Sequence, residues 1–326
     1  VKYVMGTKQE QFLHTEYTHL INKLVYTSLV FDLINSPGFY NNQKNIDKNA
    51  MFSIGHLNDK VKYNFFVSYI IDRLDMQHNG GIKYPNTFGH ESNGSLYETN
   101  LIDAKTNIRR SMLDIVQTYN IRKTGTSSKG IKLNYKFNYS KYIHQYKDFS
   151  YSNIYTFYHF DSITNDSICN VTISNSLGLL YFIRQNVINI KFDYQKINLR
   201  NTNPDFTFDN IYTIMDIHKK DTVNFYYNIN YKYCFSGYNS DDYDIGVLLQ
   251  YRFRKNMLFN ISFSRLISAS YWIYNYNYSN HYAWNNDLNK IYQNTLMLTI
   301  GNKNIGILFS YYNINNFIYV NENAYP

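Results

Sequence analysis

The stretch Ile-Lys-Leu-Asn-Tyr-Lys-Phe-Asn-Tyr-Ser at residues 131–140 alternates strictly between apolar and polar side chains. The same period of two returns at residues 188–195 and 244–253. This alternation predicts β-strands with one face in an apolar medium and the other face in water. Strands of soluble proteins usually run about five or six residues, whereas a tilted membrane-spanning strand needs roughly 9–11. The length of these runs therefore favours strands that cross a membrane.

The bulk composition is compatible with such strands. The chain has 326 residues and a mean hydropathy of −0.45, and no stretch approaches the roughly 20 apolar residues that a transmembrane helix requires. In a barrel only every second residue faces lipid, so a negative mean hydropathy is expected. Tyrosine outnumbers phenylalanine, 36 to 22, and collects where an apolar band meets water. An AT-rich genome would also enrich tyrosine and asparagine, but codon bias cannot place them on alternate faces.

Fourteen strands are predicted along the chain. The connections between them alternate between short turns and longer segments of seven to about thirty-five residues. Outer-membrane barrels have this layout, with turns in the periplasm and loops outside. The predicted strands are residues 10–21, 24–34, 49–57, 61–73, 109–121, 131–142, 169–183, 188–198, 206–217, 222–234, 243–253, 257–267, 292–301 and 305–320.

The fold class that follows is all-β, a transmembrane antiparallel meander β-barrel. We expect residues 1–326 to form a single outer-membrane barrel domain in the bacterial outer membrane. The first and last connections are both short, so the first strand starts outside and the last strand ends outside. Single-chain barrels normally leave both termini in the periplasm and have an even number of strands. The pattern therefore predicts that strands are missing at both ends, from a barrel of 16 or more.

Three local sequences resemble the putative porin family of Bacteroidetes outer membranes. They are Asn-Ser-Pro-Gly-Phe-Tyr-Asn-Asn-Gln at 35–43, Asn-His-Tyr-Ala-Trp at 280–284, and the segment from Tyr312 to Pro326. The spacing between them is also similar, so the resemblance spans most of the chain. It implies a larger barrel with further strands beyond both ends, and it implies little about the transported solute.

The polar faces of the predicted strands supply the candidate lining of a pore. Together with Asp32 and Asp216, the charged members balance at six cations against six carboxylates, which predicts at most weak ion selectivity. The net charge of +8 comes largely from the short turns, whose lysines either keep the turns solvated or form a basic rim against anionic lipid. The predicted lining residues are Lys62, Asp72, Asp114, Lys132, Asn134, Lys136, Lys191, Asp193, Lys232, Asp244 and Arg252.

No residue pattern recommends catalysis or a cofactor. The sequence contains no HExxH, GxSxG, GxGxxG or phosphate-binding loop, and the nine histidines form no ligand cluster. The segment 235–244 groups several carboxylates that could bind calcium, although an ordinary solvated turn is the favoured interpretation. We expect no enzyme activity, no cofactor, no metal site and no nucleic-acid partner.

The predicted function is passive diffusion of small hydrophilic solutes through a polar lumen, with membrane lipid as the surrounding partner. The long loop 74–108 is predicted to constrict or cap that lumen. The main alternative is a barrel scaffold that docks an outer-membrane protein partner, through the aromatic loop 268–291. An interfacial aromatic girdle is the favoured interpretation of that loop. A homo-oligomer, a transporter of hydrophobic compounds and a soluble β-rich surface protein stay open.

Overall fold

Fifteen strands form one antiparallel meander sheet in the computed structural model. The model describes residues 1–6, 9–56, 62–89, 93–122, 129–150, 154–155, 157–200, 205–219, 224–253, 257–302 and 304–321. The strands of this sheet are β1 (Lys2–Met5), β2 (Gln11–Leu20), β3 (Val25–Ser36), β4 (Asn45–His56), β5 (Tyr63–Gln77), β6 (Lys105–Arg122), β7 (Lys129–Asp148), β8 (Thr164–Ile183), β9 (Asn186–Arg200), β10 (Phe206–Lys219), β11 (Phe225–Ser236), β12 (Tyr243–Phe253), β13 (Met257–Ser268), β16 (Ile291–Gly301) and β17 (Gly306–Asn315).

Each strand of the sheet pairs with its neighbour in sequence, apart from one insertion. Between β13 and β16 the chain forms a short helix α1 (Trp272–Asn275) and a separate hairpin of β14 (Tyr276–Tyr278) and β15 (Ala283–Asn285). Two single-turn 3-10 helices lie at Pro85–Thr87 and Gly94–Leu96. No helix among the described residues is long and apolar enough to span a bilayer.

All fourteen predicted strands are confirmed, as β2 to β13, β16 and β17. The sequence pattern missed β1 and the β14–β15 hairpin, which are too short to show a period of two. The two edges of the sheet are β1 and β17, and among the described residues they do not pair with each other. The prediction of further strands beyond both ends stays a prediction.

The connections between the predicted strands alternate as expected, with two exceptions. Turns at one end of the sheet have two to six residues, whereas four connections at the other end have between eight and twenty-seven. The segments 201–205 and 237–242 are as short as the turns, because β9 and β11 each end two residues later than predicted. The connection between β1 and β2, residues 6–10, lies at the same end and is equally short. The loop end and the turn end of the sheet are therefore distinct, as in outer-membrane barrels.

The strand register separates two continuous faces. The apolar face presents Phe52, Tyr69, Tyr139 and Phe192, which are directly opposite other apolar side chains on adjacent strands. Its exposed side chains include Leu177 and Phe192, at 52% and 60% of their full accessible surface. Exposed apolar area on this scale fits contact with lipid. The opposite face, here called the polar face, holds buried polar side chains such as Ser53, Ser68, Asn189 and Asn210.

Several strands extend past the apolar band at the loop end. In β5 the apolar face runs through Tyr63, Phe65, Val67, Tyr69 and Ile71 before it changes to charged and amide side chains at 73–77. The strands β6, β7 and β9 change in the same way. On the outward face the upper ends of these strands are thus polar, so that face stands in water above the bilayer. The opposite face keeps apolar side chains there, such as Leu74, Met76 and Leu199.

Candidate functional site: the polar face and its mouth

Ten of the eleven predicted lining residues lie on strands and share the polar face. The register continues from Asp114 opposite Asn138, through Lys136 opposite Ser176 and Ser176 opposite Asp193, to Lys232 opposite Asp244. The eleventh, Lys62, precedes β5, and its backbone carbonyl accepts a hydrogen bond from the Asn120 N–H at 2.7 Å. The residues that the register brings together on this face are Asp72, Asp114, Lys132, Asn134, Lys136, Lys191, Asp193, Lys232, Asp244 and Arg252.

Opposite charges alternate along the middle of the polar face. The Lys136 Nζ lies 3.4 Å from Asp114 Oδ1, and that carboxylate also accepts a hydrogen bond from Asn138 at 2.9 Å. The Asp193 carboxylate is attracted by Lys136, Lys191 and Lys232 together. Carboxylates and ammonium groups placed in this way neutralise each other's charge. The polar face can therefore be charged and in contact with water without producing a strong net electric field.

The register also adds charged residues that the sequence reading had not assigned to this face. They are the carboxylates of Glu16, Asp47, Asp148 and Asp166, the ammonium of Lys2 and the guanidinium of Arg110. Three of them, Asp47, Asp148 and Asp166, lie beyond the predicted strand ends, where the alternation of apolar side chains has already stopped. Acids therefore outnumber bases on the described part of the polar face, and the predicted balance of six against six was too even.

The segment between β13 and β16 lies on the polar face instead of projecting outward. We call residues 269–290 the mouth strap. Its hairpin pairs Asn277 with Trp284, and the Trp284 indole N–H donates to the carbonyl of Ile273 at 2.9 Å. Trp272 is only 6% exposed. Trp272 is thus buried and Trp284 half-buried, whereas Tyr271 and Tyr282 of the same strap are exposed.

The far end of the mouth strap is fixed to β8 and to the loop before it. The Asn280 backbone N–H donates to both carboxylate oxygens of Asp166, at 2.9 and 3.0 Å, and its side-chain amide donates to the carbonyl of Asp161 at 2.7 Å. The His281 Nδ1 lies 2.9 Å from the carbonyl of Phe157, which can only accept, so Nδ1 carries the proton. The Nε2 atom then accepts from the Thr164 hydroxyl at 2.8 Å. This set of contacts is called the far latch below.

Aromatic and phenolic groups support the far latch. The His281 ring stacks on Tyr155 with centroids 3.8 Å apart. The Tyr155 hydroxyl donates to Asp148 at 3.0 Å and forms a further hydrogen bond with the Tyr146 hydroxyl. Burial, followed by the hydrogen bond to Tyr146, raises the pKa of Tyr155 well above its ordinary value. Tyr155 therefore stays a neutral phenol and a reliable hydrogen-bond donor.

The near end of the mouth strap is fixed to the loop between β11 and β12. Asp242 accepts hydrogen bonds from the Ala269 N–H at 2.8 Å and from the Lys290 ammonium at 3.0 Å. The Tyr238 hydroxyl donates to the carbonyl of Ser270 at 2.9 Å and accepts from the Asn275 amide at 2.7 Å. The Asp242 carboxylate thus holds Ala269 and Lys290, the first and last residues of the mouth strap. Among the described residues, no group of three or more histidine, cysteine or acidic side chains could hold a metal ion.

A small cavity of about 240 Å³ lies under the far part of the mouth strap. Its walls include His144, Tyr146 and Asp166 from β7 and β8, and Asn277 and Tyr282 from the strap. Burial raises the pKa of Asp166 and lowers the pKa of His144. The cavity combines aromatic surface with a carboxylate, an amide and an imidazole, a set that can orient a small polar molecule.

The long loop between β5 and β6 packs against its neighbours at the rim. Its residues 78–104 contact the 37–44 loop, where the Asn41 amide donates to the carbonyl of Ser95 at 2.7 Å and Tyr40 meets the ring of Tyr97. The Ser150 hydroxyl donates to Asp103 at 2.9 Å. The segment whose contacts cross several strands of the polar face is the mouth strap. The sequence pattern did not predict that role for residues 269–290.

Comparisons with known proteins place this geometry in context. The model of a family described as "Putative porin" matches residues 1–326. A search of curated sequences found no match. Among solved structures, the chain is similar to the siderophore receptor PirA from Acinetobacter baumannii, with a TM-score of 0.62, 6% identity, and coverage of 94% of this chain and 50% of that one.

It is also similar to P. aeruginosa FpvA in complex with heterologous pyoverdines. Here the TM-score is 0.61 and the identity 10%, over 95% of this chain and 47% of that chain. The chain therefore spans about half the length of these two structures. Identities this low show a shared fold and nothing more.

Proposed function

Because this chain belongs to the porin family described as "Putative porin" and folds like outer-membrane β-barrels, we propose that it lines a channel for passive diffusion of small hydrophilic solutes. The chain resides in the bacterial outer membrane, with membrane lipid against its apolar face. The proposed passage involves no chemical step, so its selectivity comes from width and from the charges on the polar face.

The polar face of the strands carries the proposal. Charged and amide side chains from β2 to β12 lie on that face, and their opposite charges compensate each other at Asp114, Lys136, Asp193 and Lys232. A dry core would penalise these groups heavily, whereas a water-filled lumen solvates them. The surplus of carboxylates supports a weak preference for cations.

The mouth strap sets the width of the proposed passage. It extends from β13 to β8 across the polar face and is fixed at both ends, by Lys290 to Asp242 and by Asn280 to Asp166. A segment held at two ends narrows an opening more effectively than a free loop would. Solutes would then pass beside the strap, along the charged side chains of the lower polar face.

The test is single-channel conductance of the purified full-length protein in a planar bilayer, with the reversal potential measured under a salt gradient. We expect steady openings and a small reversal potential of the sign that indicates cation preference. A folded, heat-modifiable barrel that never conducts would refute passive diffusion. A strong preference for anions would refute the role assigned to the acidic residues.

The cavity under the mouth strap favours a second candidate, capture of a specific small ligand before uptake. His144, Asp166 and Asn277 converge on a space that aromatic side chains enclose. In this case the lumen would be closed in the resting state and the protein would be silent in the bilayer. Deletion of residues 276–285 distinguishes the two candidates: it should widen an existing conductance if the protein is a diffusion channel, and create a conductance if it is a closed receptor.

A further inference from the structure

Three cations face one another directly on the apolar face of the sheet, near the loop end. Lys48 on β4 is opposite Arg73 on β5, and Arg73 is opposite Arg109 on β6. We call these residues the outer basic row. All three are exposed, and all point away from the polar face. Like charges directly across a strand pair are destabilising, so the arrangement needs a compensating partner.

The described part of the protein does not supply that partner. None of the three side chains forms an ion pair or a side-chain hydrogen bond with any described residue. The nearest carboxylate in register is Asp75, which lies one row further from the apolar band. Lys141 on β7, opposite Ser111, adds a fourth cation one row closer to the band. Within the described residues, no carboxylate therefore neutralises the local surplus of positive charge.

The outer basic row sits at the height of lipid head groups. From Tyr63, at the turn end of the apolar face, to Arg73 there are ten residues. At about 3.3 Å per residue these span roughly 33 Å, which projects to about 25 Å at a strand tilt of about 40°. An apolar band about 25 Å tall is the usual height for outer-membrane barrels. Arg73 thus emerges where the hydrocarbon ends on the loop side.

An apolar groove begins immediately below the row. Ala50 lies two residues from Lys48 on the same face, and its small side chain leaves a depression between larger neighbours. Phe31, Phe52, Tyr69 and Ile71 form the walls, and the groove has a volume of about 620 Å³. The groove is also lined by Val1, Thr15 and Glu16, and its residues Ala50 and Ile71 lie one row below Lys48 and Arg73. A mainly apolar groove directly below a row of cations matches a lipid with an acyl chain and an anionic head group.

We propose that the outer basic row binds the phosphate groups of a phosphorylated lipid in the loop-side leaflet, with one acyl chain in the groove around Ala50. Arginine forks bind phosphate oxygens in a bidentate manner, and Arg73 and Arg109 present two such forks side by side. The bound phosphates would relieve the repulsion among the three cations. This inference depends on the apolar face meeting lipid and is independent of what passes through the lumen.

The experiment measures the affinity of the purified full-length protein, in phosphatidylcholine nanodiscs, for fluorescent lipid A and for its dephosphorylated form. The Arg73→Gln/Arg109→Gln variant should bind lipid A about 30-fold more weakly, from about 1 kcal/mol per cation near an anionic surface and about 1.4 kcal/mol per tenfold. The Arg73→Lys/Arg109→Lys variant keeps both charges but loses the bidentate forks, so its affinity should fall between those of the unmodified protein and the glutamine variant. Dephosphorylated lipid should bind the unmodified protein as weakly as lipid A binds the glutamine variant.

A matched control comes from the same face of the sheet. Lys105 and Lys147 are also directly opposite each other, but they lie further from the apolar band. The Lys105→Gln/Lys147→Gln variant should bind lipid A within a few-fold of the unmodified protein. Equal losses in the two glutamine variants, or equal binding of the dephosphorylated lipid, would overturn the proposal. Heat-modifiable migration checks that each variant is folded. The single substitution Lys48→Gln removes one cation of the row and should weaken lipid A binding less than the double glutamine variant does.

Discussion

Replacing Phe192 by arginine is the sharpest test of which face of the sheet meets lipid. Phe192 is 60% exposed and lies within the apolar run Ile188, Ile190, Phe192 and Tyr194 of β9. It is opposite Leu177 on β8, so its neighbours are apolar as well. An arginine near the bilayer midplane costs roughly 2–4 kcal/mol. Phe192 is only about one residue from the centre of its apolar run. We therefore expect Phe192→Arg to lower the free energy of unfolding by about 3 kcal/mol.

The assay is reversible folding into lipid vesicles, followed by urea titration. The control is Ser174→Arg, which places the same charge on the polar face, opposite Asn138 and Gln195. The control should change the unfolding free energy by less than about 1 kcal/mol, as surface substitutions usually do. If Ser174→Arg cost as much as Phe192→Arg, or if Phe192→Arg cost less than about 1 kcal/mol, the assignment of the two faces would be refuted.

Three further predictions concern the polar face and its mouth. Asn280→Ala removes the contribution of the Asn280 side chain to the far latch, weakens the latch by about 1–3 kcal/mol, and should raise the single-channel conductance; an unchanged conductance would contradict the role of the strap. Replacing Lys191 and Lys232 together by glutamine should move the reversal potential further towards cation preference, and a shift towards anions would be contrary to the proposal. Burial lowers the pKa of His78 and of His144 below 6.5, so their contribution to stability is present above that pH and is lost as the pH falls through the lowered values. Amide exchange in the strap, corrected for intrinsic rates, should therefore accelerate in acid, and His78→Gln/His144→Gln should abolish that acceleration.

The strands could be predicted because the bilayer imposes a repeating pattern on them. Within the apolar band, every second side chain contacts lipid, and runs such as Ile131 to Tyr139 show this period without interruption. The register follows from the same pattern, since a slip by one residue would turn charged side chains towards lipid. This is why residues as distant as Asp72 and Arg252 could be assigned to one face from sequence alone.

The ends of the strands could not be predicted, and the reason is physical. Above the band the outward face of the sheet contacts water instead of lipid, so selection for outward apolar side chains at alternate positions disappears. In β5 the outward face changes from Ile71 to Arg73 and Asp75, whereas Leu74 and Met76 follow Asp72 on the opposite face, so the apolar side chains no longer mark the outward face. The backbone hydrogen bonds continue regardless, because adjacent strands extend equally far. The prediction therefore stopped at residue 73, although the strand ends at Gln77.

The mouth strap was missed for a different reason. Its decisive contacts join residues more than a hundred positions apart, such as Asn280 with Asp166 and His281 with Phe157. Single polar side chains of this kind have no period and no local motif that would reveal their partners. The aromatic content of 268–291 pointed instead to a surface, whereas Trp272 is buried and the Trp284 indole donates a hydrogen bond to the carbonyl of Ile273 within the strap.

Two of the three segments that carry the family resemblance coincide with points where loops are fixed. Asn280, His281 and Trp284 supply the far latch and close the strap hairpin. In the 35–43 segment, the Gln43 side chain accepts the backbone N–H groups of both Phe39 and Tyr40 and thereby fixes the turn at that rim loop. Strands that contact lipid can exchange one apolar residue for another at little cost, but a side chain that fixes a loop by hydrogen bonds cannot be exchanged freely. These two segments therefore tie part of the resemblance to the arrangement of the mouth, which is also where the proposed channel is narrowest.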